Sequence, residues 1–243
     1  MVTKADLQEF VIHLRDRGVK PVSCNCWMRA LNAFCKWLHA QGAIPSPVRL
    51  LPLKLEKRLV PVHDERAIRL LFRFKPKKFD HFRVHTIACT ALDTGCRIDE
   101  LLSAKEIDFD NLLLLVTGKG RKQRKVPFSI ELRKILFRFT QVKEKAGIRS
   151  DVMFPARDGG KWEHRNARRS YYCLLKTLEL PQSGFHVLRH TFATQCLKNG
   201  GDVVRLSIIL GHSEISTTMK YLHLPTEDLQ KPHQFLSILN RLR

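Results

Sequence analysis

Apolar residues recur at helical spacing through most of this chain. Leu7, Phe10, Val11 and Leu14 line one face, and Gly18 ends the run. Ser23 stands where it would cap a second helix, whose apolar face reads Trp27, Leu31, Phe34, Cys35 and Leu38 before a stop at Gly42. From Ile44 through Pro45, Pro47 and Pro52 to Pro61, proline density disfavours helix and predicts an extended linker. A domain boundary is therefore expected near residue 60. It divides a short helical unit with its linker, residues 1–60, from a larger unit with a C-terminal tail, residues 61–243.

The larger unit predicts helices over about 64–74 and 82–93, a break at Thr94 and Gly95, and a short helix from Arg97. Residues 112–116 and 124–128 read as two short strands. The polar stretch 117–123, which carries Gly118 and Gly120, makes the hairpin loop between them. Ser129 is placed to cap a long helix showing Leu132, Ile135, Leu136, Phe139 and Val142, and further helices fit 165–178, 186–198, 203–210 and 217–222. The fold class is mainly α with one small antiparallel β-sheet.

Composition narrows the classes of function. Hydrophobic residues are 44% and charged residues 27% of the 243, which is globular rather than disordered composition. The longest purely apolar run is 112–116, so neither a membrane span nor a secretory signal is expected. Seven scattered cysteines argue against a disulfide framework and for a reducing, cytoplasmic setting; Cys26, Cys35, Cys89 and Cys196 are expected as small core residues. Forty-three Lys and Arg against 23 Asp and Glu leave a net charge of +20, which asks for a polyanionic partner.

The excess is +6 over residues 1–60 and +14 over the remainder, so it is not one detachable tail. Three clusters stand out: Arg73, Lys75, Lys77 and Lys78; then Lys119, Arg121, Lys122, Arg124 and Lys125; then Lys161, Arg165, Arg168 and Arg169, interleaved with Trp162, Tyr171 and Tyr172. Arg121, Lys122, Arg124, Arg165, Arg168 and Arg169 are the expected nucleic-acid contacts, and Tyr171 and Tyr172 suit stacking on a base or sugar. Cys24 and Cys26 lack a second ligand pair. His81 and His85 have Phe82 where a metalloprotease helix needs glutamate. No metal and no cofactor are expected.

Four islands carry the chemistry. They are residues 94–101 with Arg97 and Glu100, residues 118–120 around Lys119, residues 186–194 with His186, Arg189 and His190, and the turn 210–213 with His212, which leads to Tyr221 nine residues later. In this order and spacing they resemble the tyrosine recombinase (phage integrase) family. The resemblance covers residues 60–224 well and the N-terminal part loosely.

Breaking and resealing a phosphodiester without an outside energy source needs a nucleophile that stores the bond covalently, and a tyrosine can do so. The resemblance assigns that role to Tyr221. It assigns Arg97 and Arg189 to the non-bridging oxygens, which planar, permanently charged forks suit, with His212 as a further donor. Lys119 is the implied general acid for the leaving 5′ oxygen, His186 the acid–base residue that assists the tyrosine, and Glu100 a buried carboxylate that orients the pocket. His190 falls on the same motif and is expected only to support packing.

The family usually carries a clamp domain of four or more helices, whereas about 60 residues allow two or three. Residues 1–60 are thus expected to be a reduced DNA-binding clamp. Cys96 stands where the family more often has a larger aliphatic residue. The implied activity is site-specific recombination of double-stranded DNA by a homotetramer, with accessory DNA-bending proteins as possible helpers. The implied setting is a bacterial or mobile-element protein at the nucleoid. The apolar tail with Phe235, Leu236, Ile238 and Leu239 is expected to dock on a neighbouring subunit. Relaxation of supercoils, as in type IB topoisomerases, and non-catalytic binding of DNA or RNA remain the alternatives.

Overall fold

A computed structural model describes residues 3–55, 60–118, 120 and 122–221. Lys119, Arg121 and the apolar tail of the preceding section lie outside the described residues. The chain divides into two compact units, Met1–Leu59 and Val60–Arg243.

The first unit holds α1 (Lys4–Asp16) and α2 (Pro21–Ala40). Thr3 caps α1 through a reciprocal pair with Asp6, the arrangement that satisfies two free N–H groups at once. The second helix begins two residues before Ser23. Pro21 sits at its first position, where a fixed φ and a missing N–H suit the helix and no side-chain cap is needed. Its buried face also differs from the expected one. Cys24, Asn25, Met28 and Cys35 face inward, while Trp27, Phe34 and Trp37 are exposed.

The rotation has a cause in the segment that follows. Asn25 exchanges two hydrogen bonds with the backbone of Leu53, at 2.8 and 2.9 Å, and Asn32 does the same with Leu50. Two asparagines seven residues apart thus pin residues 50–53 onto α2, where Leu50 and Leu53 join Leu7, Val11, Met28 and Cys35. The stretch predicted to be an extended linker is packed on α2 over residues 50–53.

The second unit is built around α4 (Phe79–Thr94), which follows α3 (Glu65–Arg73). Ten residues of α4 are buried on several faces, and it packs against α6 (Ile130–Lys145), α7 (His164–Thr177) and α8 (Phe185–Lys198). A helix covered on that many sides buries polar groups, so Thr90 and Thr94 return their hydroxyls to the carbonyls of Thr86 and Thr90. Phe79, Phe139, Phe154, Phe109 and Phe128 pack in a row with ring centroids 5.9–6.5 Å apart, the first three stacked and the contacts of Phe109 edge-on.

The sheet is antiparallel in the order β1 (Phe109–Asp110), β2 (Leu113–Thr117), β3 (Gln123–Pro127). The two-residue β1 was not expected. Register places Leu114 opposite Val126 and Val116 opposite Arg124, so these four share the inward face. Between α4 and the sheet lies the short α5 (Ile98–Leu102), and the described chain ends with α9 (Val203–Leu210) and the four-residue α10 (Ser216–Met219). Ser129 caps α6 as expected. No described helix is long and apolar enough to cross a membrane.

Candidate active site

The site forms where α5, the sheet, α8, α9 and α10 meet. Gly95 ends α4 at φ +65°, and any Cβ there would press into the Phe192 ring and lie 2.9 Å from Leu210. The bend carries Arg97 to the start of α5. Glu100, one turn on, accepts the backbone N–H of Arg97 at 2.8 Å and its guanidinium at 3.2 Å. Arg124 closes on the same carboxylate with two parallel bonds of 2.9 Å and donates its Nε to the carbonyl of Ile209 at 2.8 Å.

Arg124 is therefore not the exposed DNA contact expected of it. Its side chain is 13% exposed, and its place on β3 beside Val126 aims it inward, against Gly211, where a Cβ would sit 3.0 Å from the guanidinium. Burial would raise the Glu100 pKa, but the bonds and charges of Arg124 and Arg97 outweigh it and hold the carboxyl below its ordinary value.

Arg189 is buried on α8 and anchored by the carbonyls of Gly95 and Leu210, each at 2.8 Å. Burial first, and then Arg97, push its pKa down to about 10, which still leaves it charged at neutral pH. Its second terminal nitrogen also lies 2.9 Å from Nε2 of His212. An arginine N–H can only donate, so Nε2 accepts and Nδ1 carries the proton toward Oγ1 of Thr218 at 2.8 Å. Burial, together with Arg189, Arg97, Arg124 and Lys220, lowers the His212 pKa to about 4, so the ring is neutral.

Tyr221 follows α10. Its ring joins the apolar cluster of Ala193, Leu197, Leu206 and Leu210, and its hydroxyl is 2.7 Å from Nδ1 of His190. His186 is exposed one turn before His190 on α8, with ring centroids 6.4 Å apart. Arg97, Glu100, Lys122, Arg124 and His212 line a cleft of about 860 Å³.

Arg97, Glu100, Arg189, His212 and Tyr221 thus converge, with His186 at the edge. Lys119 lies outside the described residues, as does Arg121. Arg165, Arg168 and Arg169 are exposed on α7 and do not line this cleft, and Arg168 donates to the Tyr172 hydroxyl at 2.7 Å. Tyr171 cannot stack on DNA as expected: it is wholly buried, with its hydroxyl on His63 and its ring on Phe185. Trp162 is buried under the Arg83 guanidinium. Of the cysteines expected in the core, Cys26 is exposed and Cys196 half-buried. Among the described residues no three His, Cys, Asp or Glu side chains gather as a metal site.

Sequence reasoning missed three contributors. Arg124 was detectable from strand alternation with Val126. Thr218 and His190 carried only weak signals, Thr218 three residues before Tyr221 and His190 directly after Arg189.

The profile of the Phage integrase family matches residues 62–228. The chain belongs to this family. Tyrosine recombinase XerD of Proteus mirabilis is 31% identical over 245 residues, covering 96% of this chain and 78% of that protein. Tyrosine recombinase XerC of Chlorobaculum parvum is 29% identical over 259 residues, covering 95% and 77%. Among solved structures, the Tn1549 transposon integrase in complex with a circular intermediate DNA superposes with a TM-score of 0.80 at 20% identity, over 97% of this chain and 86% of that one. The XerH recombinase bound to its difH substrate superposes at 0.76 and 19% identity, over 97% and 71%. The fold is that of a tyrosine recombinase catalytic domain, and the protein is a site-specific DNA recombinase that breaks and rejoins strands by the tyrosine mechanism.

Proposed function

We propose that Tyr221 attacks the scissile phosphate of a recombination site, forming a 3′-phosphotyrosyl bond and freeing a 5′ hydroxyl. The hydroxyl of a partner duplex then reverses the step, and two rounds pass through a four-way junction. One observation carries the reading: the Tyr221 hydroxyl is held by the residue next to Arg189, and Arg189 itself is bonded to His212.

Arg97 and Arg189 receive the two non-bridging oxygens. Arg189 is already fixed by two carbonyls, so little reorganisation is needed when charge develops on the phosphate. A phosphate that takes the Arg189 N–H frees Nε2 of His212. The anion then favours protonation there, which turns His212 from acceptor to donor. Glu100, bonded by both Arg97 and Arg124, offsets their mutual repulsion and keeps them oriented. Lys119 is the general acid for the 5′ oxygen, and the family resemblance offers His186, exposed at the edge of the site, as the acid–base residue. Arg121, Lys122, Arg165, Arg168 and Arg169 hold the DNA, with residues 1–60 as the reduced clamp. The assembly is a homotetramer on two sites, helped by DNA-bending proteins, in a bacterial or mobile-element setting at the nucleoid.

The test uses nicked duplexes from a random-sequence pool, selected by covalent capture on the protein. The natural chain is expected to give a protein–DNA adduct that survives denaturing gel electrophoresis, and Tyr221→Phe none. An adduct with Tyr221→Phe would assign the nucleophile elsewhere.

A further inference from the structure

His190 was expected only to pack, yet it is the side chain bonded to the nucleophile. Its Nδ1 lies 2.7 Å from the Tyr221 hydroxyl, with the rings 5.6 Å apart and tilted by 46°. The tyrosine ring packs on an apolar cluster of α8 and α9 residues, and among the described residues His190 is the side chain that meets its hydroxyl. His186, the acid–base residue implied by resemblance, is exposed, with its ring centroid 6.4 Å from that of His190.

We propose that His190 holds Tyr221 in place and receives its phenolic proton as the oxygen attacks phosphorus. The inference rests on Tyr221 being the nucleophile. In the step, the tyrosine O–H bond breaks and its proton goes to the lone pair on Nδ1. The phenolic oxygen bonds to phosphorus, and the bond from phosphorus to the 5′ oxygen breaks, its electron pair leaving with that oxygen, which takes a proton from the general acid. Resealing runs the same transfers backward, so the imidazolium returns its proton to the tyrosine.

The surroundings suit a neutral acceptor. His186 and Arg189 face His190 from its own helix, and Tyr221 faces it from the segment after α10. Burial, and then the two neighbours on α8, lower the His190 pKa, so its lone pair is free at neutral pH. Burial raises the Tyr221 pKa, against the pull of Arg189 and Arg97, so the phenol keeps its proton until attack. A base beside the hydroxyl then matters more than it would for an acidified tyrosine.

Two measurements test the proposal. The chain has three tyrosines, so ring-carbon labelling gives three signals, and Tyr221→Phe identifies one of them. His190→Ala is expected to shift that signal and leave those of Tyr171 and Tyr172 in place; no shift would overturn the contact. On captured nicked duplexes, His190→Ala is expected to slow adduct formation roughly 100-fold. His190→Asn keeps an acceptor near the Nδ1 position but takes no proton. It should remain slow and lose the acid limb of the rate–pH profile, while His186→Ala keeps that limb. Wild-type rates in His190→Asn, or loss of the limb only in His186→Ala, would overturn proton transfer to His190. If Tyr221→Phe is dead and His190→Ala runs at the natural rate, this inference fails and the nucleophile stands. An adduct with Tyr221→Phe fails the nucleophile itself.

Discussion

The two halves of the active site are held in different ways. The cation side is built from charges fixed by backbone and by a buried carboxylate: Arg189 on two carbonyls, Arg124 on Glu100 and on the Ile209 carbonyl, Arg97 on Glu100. The nucleophile side is a four-residue helix tied back by two side-chain hydrogen bonds, Thr218 to His212 and Tyr221 to His190. Charge stabilisation works best with little reorganisation, whereas an attacking residue that must approach DNA and later release it gains from few anchors. The contrast predicts that damage to the cation side is read in global stability, and damage to the arm in reaction rate.

The largest effect is expected on the cation side. Glu100→Ala leaves Arg124 half-buried without its counter-charge and frees Arg97. Removing one member of such a pair costs about 3–5 kcal/mol. Urea unfolding should show a loss of that size, and the adduct yield should fall with it. Full stability in Glu100→Ala would mean that the carboxylate does not organise this half, and the contrast would collapse.

How much of this was readable beforehand follows the same division. Arg97, Arg189, His212 and Tyr221 sit on helix starts and turns whose spacing is written in the chain, and the structure brings them together. Arg124 was misplaced because a charge within a basic run reads as solvated, although its strand position beside Val126 aims it inward. Tyr171 was misplaced for a related reason: α7 shows a basic surface to solvent, but Ala167, Tyr171, Leu174 and Leu175 form its hidden stripe. The buried face of α2 was legible only at Leu31 and Cys35, since two asparagines, residues that usually mark surfaces and turns, fix it by clamping residues 50–53. His190 and Thr218 have roles set by where α10 docks, a tertiary contact that no local pattern records.

A smaller effect sharpens the arm side. Thr218→Val keeps the shape of a buried side chain and removes the oxygen that meets Nδ1 of His212. An unsatisfied donor of this kind costs about 1–3 kcal/mol, here charged to the docking of α10 rather than to the whole fold. The adduct should form roughly 10-fold more slowly, amide exchange over 216–221 should quicken, and urea unfolding should hardly change. A large drop in global stability would show that α10 is an integral part of the core and not an arm.

The smallest effect separates the halves by acidity. The pKa values of His63, His85, His190 and His212 are all lowered, chiefly by burial, from an unfolded value of 6.5, and that of His212 reaches about 4. The unfolded chain therefore binds more protons than the folded one as pH falls below 6.5, so stability is full above that value and declines toward pH 4. Glu100 is also depressed, but from 4.5, and its contribution is lost only below that pH. Acid should thus loosen the histidine-tied arm while the carboxylate still holds Arg124 and Arg97. At pH 5, amide exchange over 216–221 should rise well before exchange over 97–101, and replacing His212 by Gln should flatten the stability slope between pH 6.5 and 4.5. A stability curve already flat from pH 7 to 5 in the natural chain would mean that these histidines titrate normally and that the arm is not held by neutral imidazoles.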